Sequence, residues 1–275
     1  MSVIAHSEAG VKVRVEGVSK VFPHKAAPVQ ALDAVDLTIG EGEFVCMVGP
    51  SGCGKSTLLR IVADLMKPST GQVEVSHVDP ARPWRSVVFQ DYGIFPWKTV
   101  AHNVRLGLQL NGVPKKRSAE LAEAWLDRVG LADFADVLPD TLSGGMRQRV
   151  SVARAFALEP ELLLMDEPFA ALDIQLRTIM QDELVALWQT QRRSVLFITH
   201  NLDEAIYLGD RVVLMSSRPG RVVADFPVPF ERPRDPRIRG SAEFAELEQR
   251  IWDLLRVEVE KALPGTMKTG TRDSR

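Results

Sequence analysis

The chain has 275 residues, 45% of them hydrophobic and 25% charged, with a formal net charge of -2. This is the balance of a globular protein that can bury a sizeable core, and it lacks the basic excess that would argue for a nucleic-acid partner. Two cysteines exclude a disulfide framework, and no run approaches the roughly 20 apolar residues of a membrane span.

Met1–Gly10 lacks the long apolar core of a signal peptide and reads as a polar leader. Val11–Val15 alternates apolar and charged residues, as a half-buried strand does. Val18–Phe22 and Ala31–Ile39 read as further short strands around a turn at Pro23–Pro28, together a small antiparallel layer. Phe44–Val48 is a continuous apolar run. It leads into Gly49-Pro50-Ser51-Gly52-Cys53-Gly54-Lys55-Ser56-Thr57 and then a helical pattern, Leu58–Leu65. This is G-x-x-x-x-G-K-[ST] in its strand–turn–helix setting. Glycines let the backbone curl so that successive N–H groups point inward, and the helix start adds its positive end, so phosphate oxygens are caged by fixed dipoles. Lys55 would place a point charge on the β- and γ-phosphates, and the Ser56 hydroxyl would ligate Mg²⁺. The chain is therefore read as binding a nucleoside triphosphate. Cys53 lies within the cradle, where alkylation is expected to block turnover.

Pro68–Gly71 is turn chemistry, Gln72–Val78 another alternating strand, and Ser86–Gln90 a short buried strand with a polar tip. From Thr99 to Glu159 the pattern turns helical: Val100–Leu110, Ser118–Val129 and Gly145–Leu158. This reads as a helical insertion into an α/β core. Leu142-Ser143-Gly144-Gly145 opens the last of these helices. Ser143 is a good N-cap, and the paired glycines leave helix-start N–H groups bare for a second anion. A second phosphate-binding device in one chain suggests a site shared between two chains.

The core resumes with Leu162–Met165, closed by Asp166-Glu167. An acidic residue at the tip of a buried strand is where Mg²⁺ needs a carboxylate in a phosphate-loop protein. Glu167, one position on, could polarise an attacking water as general base. An acidic turn before Pro168 is the plainer alternative, and the phosphate loop favours the functional one. A helix over Ile174–Gln191, a strand Ser194–Thr199, a short helix Leu202–Leu208 and strands Val212–Ser216 and Arg221–Phe226 follow, an alternation that implies a parallel sheet. Pro227–Arg239 reads as an extended linker. Ala242–Leu263 reads as a helix with Phe244, Leu247, Ile251 and Leu254 on one face, and the residues after Pro264 read as disordered.

The order of phosphate loop, Gln90, Leu142–Gly145 with its basic helix, Asp166-Glu167, Ala171-Leu172-Asp173 and His200 resembles the ATP-binding cassette ATPase family, over the chain to about residue 220. The resemblance implies ATP and Mg²⁺ as cofactors and an α/β fold: a P-loop NTPase (RecA-like) core with a mixed sheet, a small antiparallel β layer and an inserted α-helical subdomain at about 96–160. It implies two copies arranged head to tail, the phosphate loop of one facing Leu142, Ser143, Gly144 and Gly145 of the other. Gln90 would sense Mg²⁺ and water and lead into a segment that touches a membrane partner, where Trp97 stands as the contact. His200 would hold the γ-phosphate, and Asp173 would cross the interface. Phe22 stands where many members stack an aromatic ring on adenine. Asp64 occupies a place where relatives often carry a helix-ending glycine, and Ala170 one where they carry glycine or serine.

Asp91–Val100, Met146–Arg149, Ser217–Arg221 and Arg232–Pro236 resemble the nitrate/sulfonate/taurine importer branch. The resemblance thus implies an ATPase subunit of a membrane importer, peripheral on the cytoplasmic face of the inner membrane. Its partners would be a second copy, permease subunits and, indirectly, an extracytoplasmic solute-binding protein, with no nucleic acid. Residues 1–228 would form the nucleotide-binding domain and 229–275 a linker, C-terminal helix and tail. The competing readings are a soluble ATPase of the same type unconnected with transport, and a regulatory subunit that binds ATP without turnover.

Overall fold

The computed structural model describes residues 10–25, 27–80 and 82–262, the side chains of Leu187 and Gln191 excepted. Two sheets carry the fold. Strands β1 (Val11–Phe22), β2 (Val29–Gly40) and β4 (Thr70–Val75) form an antiparallel sheet in the order β2-β1-β4. The second sheet takes β3 (Phe44–Val48), β5 (Arg85–Val88), β6 (Leu162–Asp166), β7 (Ser194–Ile198), β8 (Arg211–Met215) and β9 (Val222–Pro227) in the order β5-β6-β7-β3-β8-β9. All its pairings are parallel except β8 with β9, so the sheet is mixed.

Strand periodicity sorts the buried side chains into two cores. Phe44, Cys46 and Val48 of β3, with Val195 and Phe197 of β7 and Val212 and Leu214 of β8, face one way. Val45, Met47, Leu196, Ile198, Val213 and Met215 face the other. The second face meets helix α1 (Lys55–Val62) and the antiparallel sheet. The first meets α5 (Ile174–Gln191), α6 (Leu202–Leu208) and α7 (Ala242–Ala262). Because β3 is buried on both faces, its residues read as an unbroken apolar run rather than an alternation.

The helices α2 (Val100–Leu110), α3 (Lys115–Arg128) and α4 (Gly144–Ala157) pack on one another. Val104, Leu108, Trp125, Leu126 and Val150 fill their shared interior. Thr99 caps α2 by accepting from the His102 amide, and Asp173 caps α5 by accepting from the Leu176 amide.

Four expectations change. β1 is one strand, not two; Gly17, at φ 55°, and the register shift between Val15 and Val18 absorb the break that Glu16-Gly17 suggests. The parallel order read from the strand–helix alternation holds up to β8 only; β9 lies antiparallel on the edge, so the sheet is mixed, as the resemblance implied. On α7 the buried stripe is Phe244, Leu247, Ile251 and Leu255, and Leu254 is exposed. At 100° per residue Leu254 and Leu255 fall about equally far on either side of the face set by the first three, and the packing takes Leu255. Burying four such side chains is worth roughly 6–12 kcal/mol in gross transfer terms, which docks the helix firmly.

The fourth change concerns the stretch expected to be an extended linker. Arg232 donates from Nε to Asp210 Oδ1 at 2.8 Å and from Nη2 to the Leu208 carbonyl, with its guanidinium 4.1 Å from the Trp188 ring centre. Arg234 is buried, and its Nη1 donates to the carbonyls of Ile206, Tyr207 and Gly209 at 3.1, 2.8 and 2.7 Å. These are the carbonyls left open at the C-terminus of α6, where a cation is favoured by the helix dipole. Burial pulls the Arg234 pKa down to about 10, so it stays charged at neutral pH. The segment is a strap on the core. The residues after Pro264 and those before Gly10 lie outside the described part of the chain.

Candidate nucleotide site

Parallel strands share one C-terminal edge, and that edge is where open α/β sheets build their sites. β3 ends in the phosphate loop there, β6 in Asp166, and β7 one residue before Thr199 and His200. The loop must pass close to β2. Gly54 sits at φ 110°, and a Cβ on it would come within 2.6 Å of Leu32 Cδ2 and 2.8 Å of the Ala31 carbonyl. Only glycine meets both demands. Lys55 is buried beneath the loop, its Nζ donating to the Gly49 and Pro50 carbonyls at 2.7 and 2.9 Å. Ser56 Oγ donates to Asp166 Oδ1 at 3.0 Å.

An open cleft of about 310 Å³ lies along this edge, lined by Ser51, Gly52, Gly54, Lys55, Ser56 and Thr57 of the loop and helix start and by Gln90 and Glu167. Phe22, Val29 and Ala31 add an apolar part to its lining, so a flat apolar ring and a polyanion would find matching surfaces. Asp166 is almost wholly buried, and burial pushes its carboxyl above the usual range despite the Ser56 hydrogen bond. A buried carboxylate beside a serine hydroxyl is the donor set of a cation that brings its own waters and phosphate oxygens, as Mg²⁺ does. Among the described residues there is no cluster of three or more His, Cys, Asp and Glu side chains that would bind a metal unaided. The residues therefore fit a Mg²⁺–nucleotide pair.

Glu167 takes a left-handed backbone, φ 49°, with its amide donating to the Ile198 carbonyl at 3.0 Å. Glu167 Oε2 accepts from Gln90 Nε2 at 3.4 Å and lies 3.5 Å from His200 Nδ1. Behind His200, Thr199 Oγ1 donates to Glu204 Oε2 at 2.6 Å, and Gln181 Nε2 donates to Glu204 Oε1 at 3.0 Å. That buried network fixes the turn which presents the histidine.

Leu142, Ser143, Gly144 and Gly145 do not line this cleft. Ser143 caps α4, its Oγ accepting from the Met146 amide at 3.3 Å. Gly145 lies beside Ala171 and Leu172, so the start of α4 and the Ala171–Asp173 turn form one exposed ledge apart from the phosphate loop. Asp173 and the neighbouring Ile174 are both exposed there. Arg154, further along α4, donates from Nη1 to the Gly93 carbonyl at 2.6 Å and from Nη2 to the Tyr92 carbonyl at 3.2 Å. The helix is thereby tied to the segment that follows Gln90. Beyond it, buried Asn103 accepts from the Phe95 amide at 2.7 Å and donates to the Phe95, Lys98 and Thr99 carbonyls. This clamps a loop that holds Trp97 71% exposed.

Two readings made from sequence need correcting or extending. Cys53 is 1% exposed and packs into the core below the loop, its Sγ 3.8 Å from Lys55 Nζ. Its thiol is not presented to the cleft, so ready alkylation is not expected. Arg218, which also lines the cleft, carried no assigned role. The clue was available: it follows β8, an apolar run that runs parallel to β3 and ends on the same edge.

Residues 32–170 match the family model described as ABC transporter. The chain is 48% identical over 255 residues to the uncharacterized ABC transporter ATP-binding protein MJ0412 of Methanocaldococcus jannaschii, covering 92% of this chain and 94% of that protein. It is 42% identical over 252 residues to the nitrate import ATP-binding protein NrtD of Synechocystis, covering 89% and 95%. Identity to the bicarbonate transport ATP-binding protein CmpD of the same organism is also 42%, over 247 residues and 88% of each chain. Among solved structures, the dimeric ATP-binding cassette MJ0796 in a post-hydrolysis state bound to ADP and Pi aligns with a TM-score of 0.73 at 31% identity, covering 80% of this chain and all of that one.

Proposed function

The chain belongs to the ABC transporter family, and on that premise we propose that it is the ATP-hydrolysing subunit of an importer for a small anionic solute such as nitrate, sulfonate or taurine. As a member of the family it is an ATPase that uses ATP with Mg²⁺. The observation that carries the catalytic reading is the convergence of Gln90 and His200 on one oxygen of Glu167, which lines the phosphate-loop cleft.

In this reading the loop amides and Lys55 bind the triphosphate, and Phe22 packs on the base. Ser56, Asp166 and Gln90 hold Mg²⁺, which when bound neutralises charge on the phosphate oxygens. Glu167 takes the proton of the attacking water, Gln90 orients that water, and His200 donates to the γ-phosphate. Ser143 to Gly145 of a second copy close over the γ-phosphate, and Asp173 meets that copy's loop. The ledge of α4 and Ala171–Asp173 is exposed and apart from its own cleft, which supports a partner's cleft as its target. ATP binding would then join two copies, and hydrolysis would let them part.

The importer reading rests on the nitrate and bicarbonate relatives and on Trp97, a large apolar side chain held out to solvent by the Asn103 clamp. In the importer reading, which rests on those relatives, the permease is a separate chain and this subunit is peripheral on its cytoplasmic side; no helix among the described residues is long and apolar enough to cross a membrane. We propose residues 1–228 as the nucleotide-binding domain, with about 96–160 as its helical subdomain and the strap and α7 beyond.

The test is co-purification with a co-expressed permease, followed by ATP-driven uptake of nitrate, taurine, an alkanesulfonate or bicarbonate into vesicles. Uptake of one anion, lost on Trp97→Ala, is expected. An ATPase that retains no membrane partner and drives no uptake would favour the soluble reading.

A further inference from the structure

The turn that follows β8 connects the nucleotide cleft to the far end of the chain. It is closed on itself: Ser216 Oγ shares its one proton between the Ser217 and Pro219 carbonyls, at 2.8 and 3.0 Å, and accepts from the Arg221 amide at 2.9 Å. It is also pressed against the phosphate loop. The Gly220 amide donates to the Ala31 carbonyl at 2.9 Å, and a Cβ on Gly220 would lie 2.1 Å from the Cys53 carbonyl oxygen. From this turn Arg218 reaches forward, and its Nε and Nη2 both donate to the Gly52 carbonyl at 3.1 and 2.9 Å. Gly52 sits at φ 72°, at the crest of the loop, and the guanidinium forms part of the cleft wall.

The neighbouring residue is held from the opposite side. Ser217 donates from its amide and its hydroxyl to Glu258 Oε2 of α7, at 2.9 and 3.3 Å. Glu258 is buried, and its other oxygen accepts from Lys261 Nζ at 2.6 Å. Burial pushes the Glu258 carboxyl up, but the Lys261 and Ser217 hydrogen bonds outweigh it and leave the pKa below the ordinary carboxylate range. It is therefore a charged acceptor at neutral pH, and charge-assisted bonds of this kind are about twice as strong as neutral ones.

We propose that Arg218 is a positioning residue of the ATP site, pinning the crest of the phosphate loop, and that Glu258 holds Arg218 in place, so that the C-terminal helix takes part in nucleotide binding. The inference rests on the cleft being the ATP site. A forked guanidinium that grips one carbonyl from two nitrogens fixes the peptide plane of a glycine that would otherwise rotate freely. It also sets a positive charge on the wall that a triphosphate would face. Neither effect discriminates between ground state and transition state, so both act on affinity more than on the chemical step.

The test uses the full chain and ATP, with binding and steady-state hydrolysis measured on each variant. Arg218→Ala is expected to raise KM for ATP about tenfold while kcat moves less than about threefold, the signature of lost uniform binding. Glu258→Ala is expected to raise KM about fivefold. Glu258→Gln, whose amide oxygen still accepts from the Ser217 amide, should stay within about twofold of the parent. If Glu258 acts through Arg218, the double variant will be no worse than Arg218→Ala alone. The proposal is overturned if Arg218→Ala leaves KM unchanged, if Glu258→Ala lowers only the thermal midpoint, or if the two effects multiply. Should Glu258→Ala not fold, Glu258→Asp, which draws the carboxylate back by one methylene, replaces it with the same expectation. Lys55→Ala is the reference. Lost ATP binding in that variant beside an unaffected Arg218→Ala sinks this inference alone, whereas unchanged binding in both sinks the assignment of the cleft.

Discussion

Ser56 and Asp166 meet through one hydrogen bond, hydroxyl to carboxylate Oδ1 at 3.0 Å, although 110 residues separate them. The bond joins the start of α1 to the tip of β6, and it leaves a buried carboxylate with one protein donor. Burial raises the Asp166 pKa above 3.8, so the folded chain binds that proton more tightly than the unfolded chain does. Stability from this group is greatest below the unfolded value and falls as pH rises through the folded one, and above both the cost is complete. In EDTA at pH 7, Asp166→Asn should therefore raise the urea midpoint relative to the parent. The difference should shrink as the pH approaches 3.8. Adding Mg²⁺ and ATP should reverse the order, because only the parent gains the bound cation. Equal midpoints at pH 7 would mean the carboxylate carries no such cost.

Glu167→Gln should keep ATP binding and lower turnover by roughly 10² to 10⁴. Glutamine preserves the shape and the contact to Gln90 but cannot accept a proton. Single-turnover phosphate release, read beside ATP retention on a filter, separates the two effects. Near-parental release would assign the proton elsewhere.

Ser143→Asp keeps the cap on α4, since aspartate is as good an N-cap as serine, but adds a charge that repels phosphate. ATP affinity measured on dilute monomer should stay within about twofold, while hydrolysis falls more than about 100-fold and ATP-induced dimers disappear from gel filtration. Collapse of the monomer's own affinity would instead place Ser143 at its own cleft.

Asp64 follows α1 in the left-handed region at φ 50°, with its amide bonded to the Ile61 carbonyl and the Leu65 amide to that of Arg60. This is a Schellman cap built on aspartate. Asp64→Gly should stabilise the chain by about 0.5–1 kcal/mol, or roughly 1–4 °C in Tm. Asp64→Ala should lower Tm, because alanine has neither the freedom of glycine nor the local polar contacts of aspartate in that region.

Both cysteines are buried, Cys46 with a thiol pKa raised well above its ordinary value by that burial. Iodoacetamide should therefore leave the folded chain unlabelled and add two groups in urea, as counted by intact mass. Rapid labelling of Cys53 with loss of activity, prevented by ATP, would show a loop more open than the one described.

Elements whose partners are local were legible from sequence. The starts of α2, α5 and α6 follow from Thr99, Asp173 and Asn201, each a cap whose side chain accepts an amide three residues on. β6 and β3 are unmistakable because both faces are buried. The phosphate loop, Asp166 and Glu167 were read as a candidate site because motif and strand end coincide, and His200 through the family resemblance; all stand at one edge of the sheet. What sequence concealed is nonlocal. The arginines at 232 and 234 look like solvated linker until the α6 carbonyls they cap are placed beside them. Arg218 looks like turn polarity until the pairing of β8 with β3 sets that turn against the phosphate loop. Gly17 looks like a strand end until Asp36 Oδ1 accepts its amide across the bulge at 2.7 Å.

Arg234 has a bearing on how the chain is made. The carbonyls that end α6 lie six to nine residues beyond His200 in sequence, yet their donor comes from residue 234. On the ribosome every motif residue from Gly49 to His200 emerges before that donor does. A nascent chain paused between the two would hold a complete set of catalytic side chains on an unfinished support. The end of α6 behind His200 thus stays open until Arg234, made after every one of those motif residues, arrives to close it.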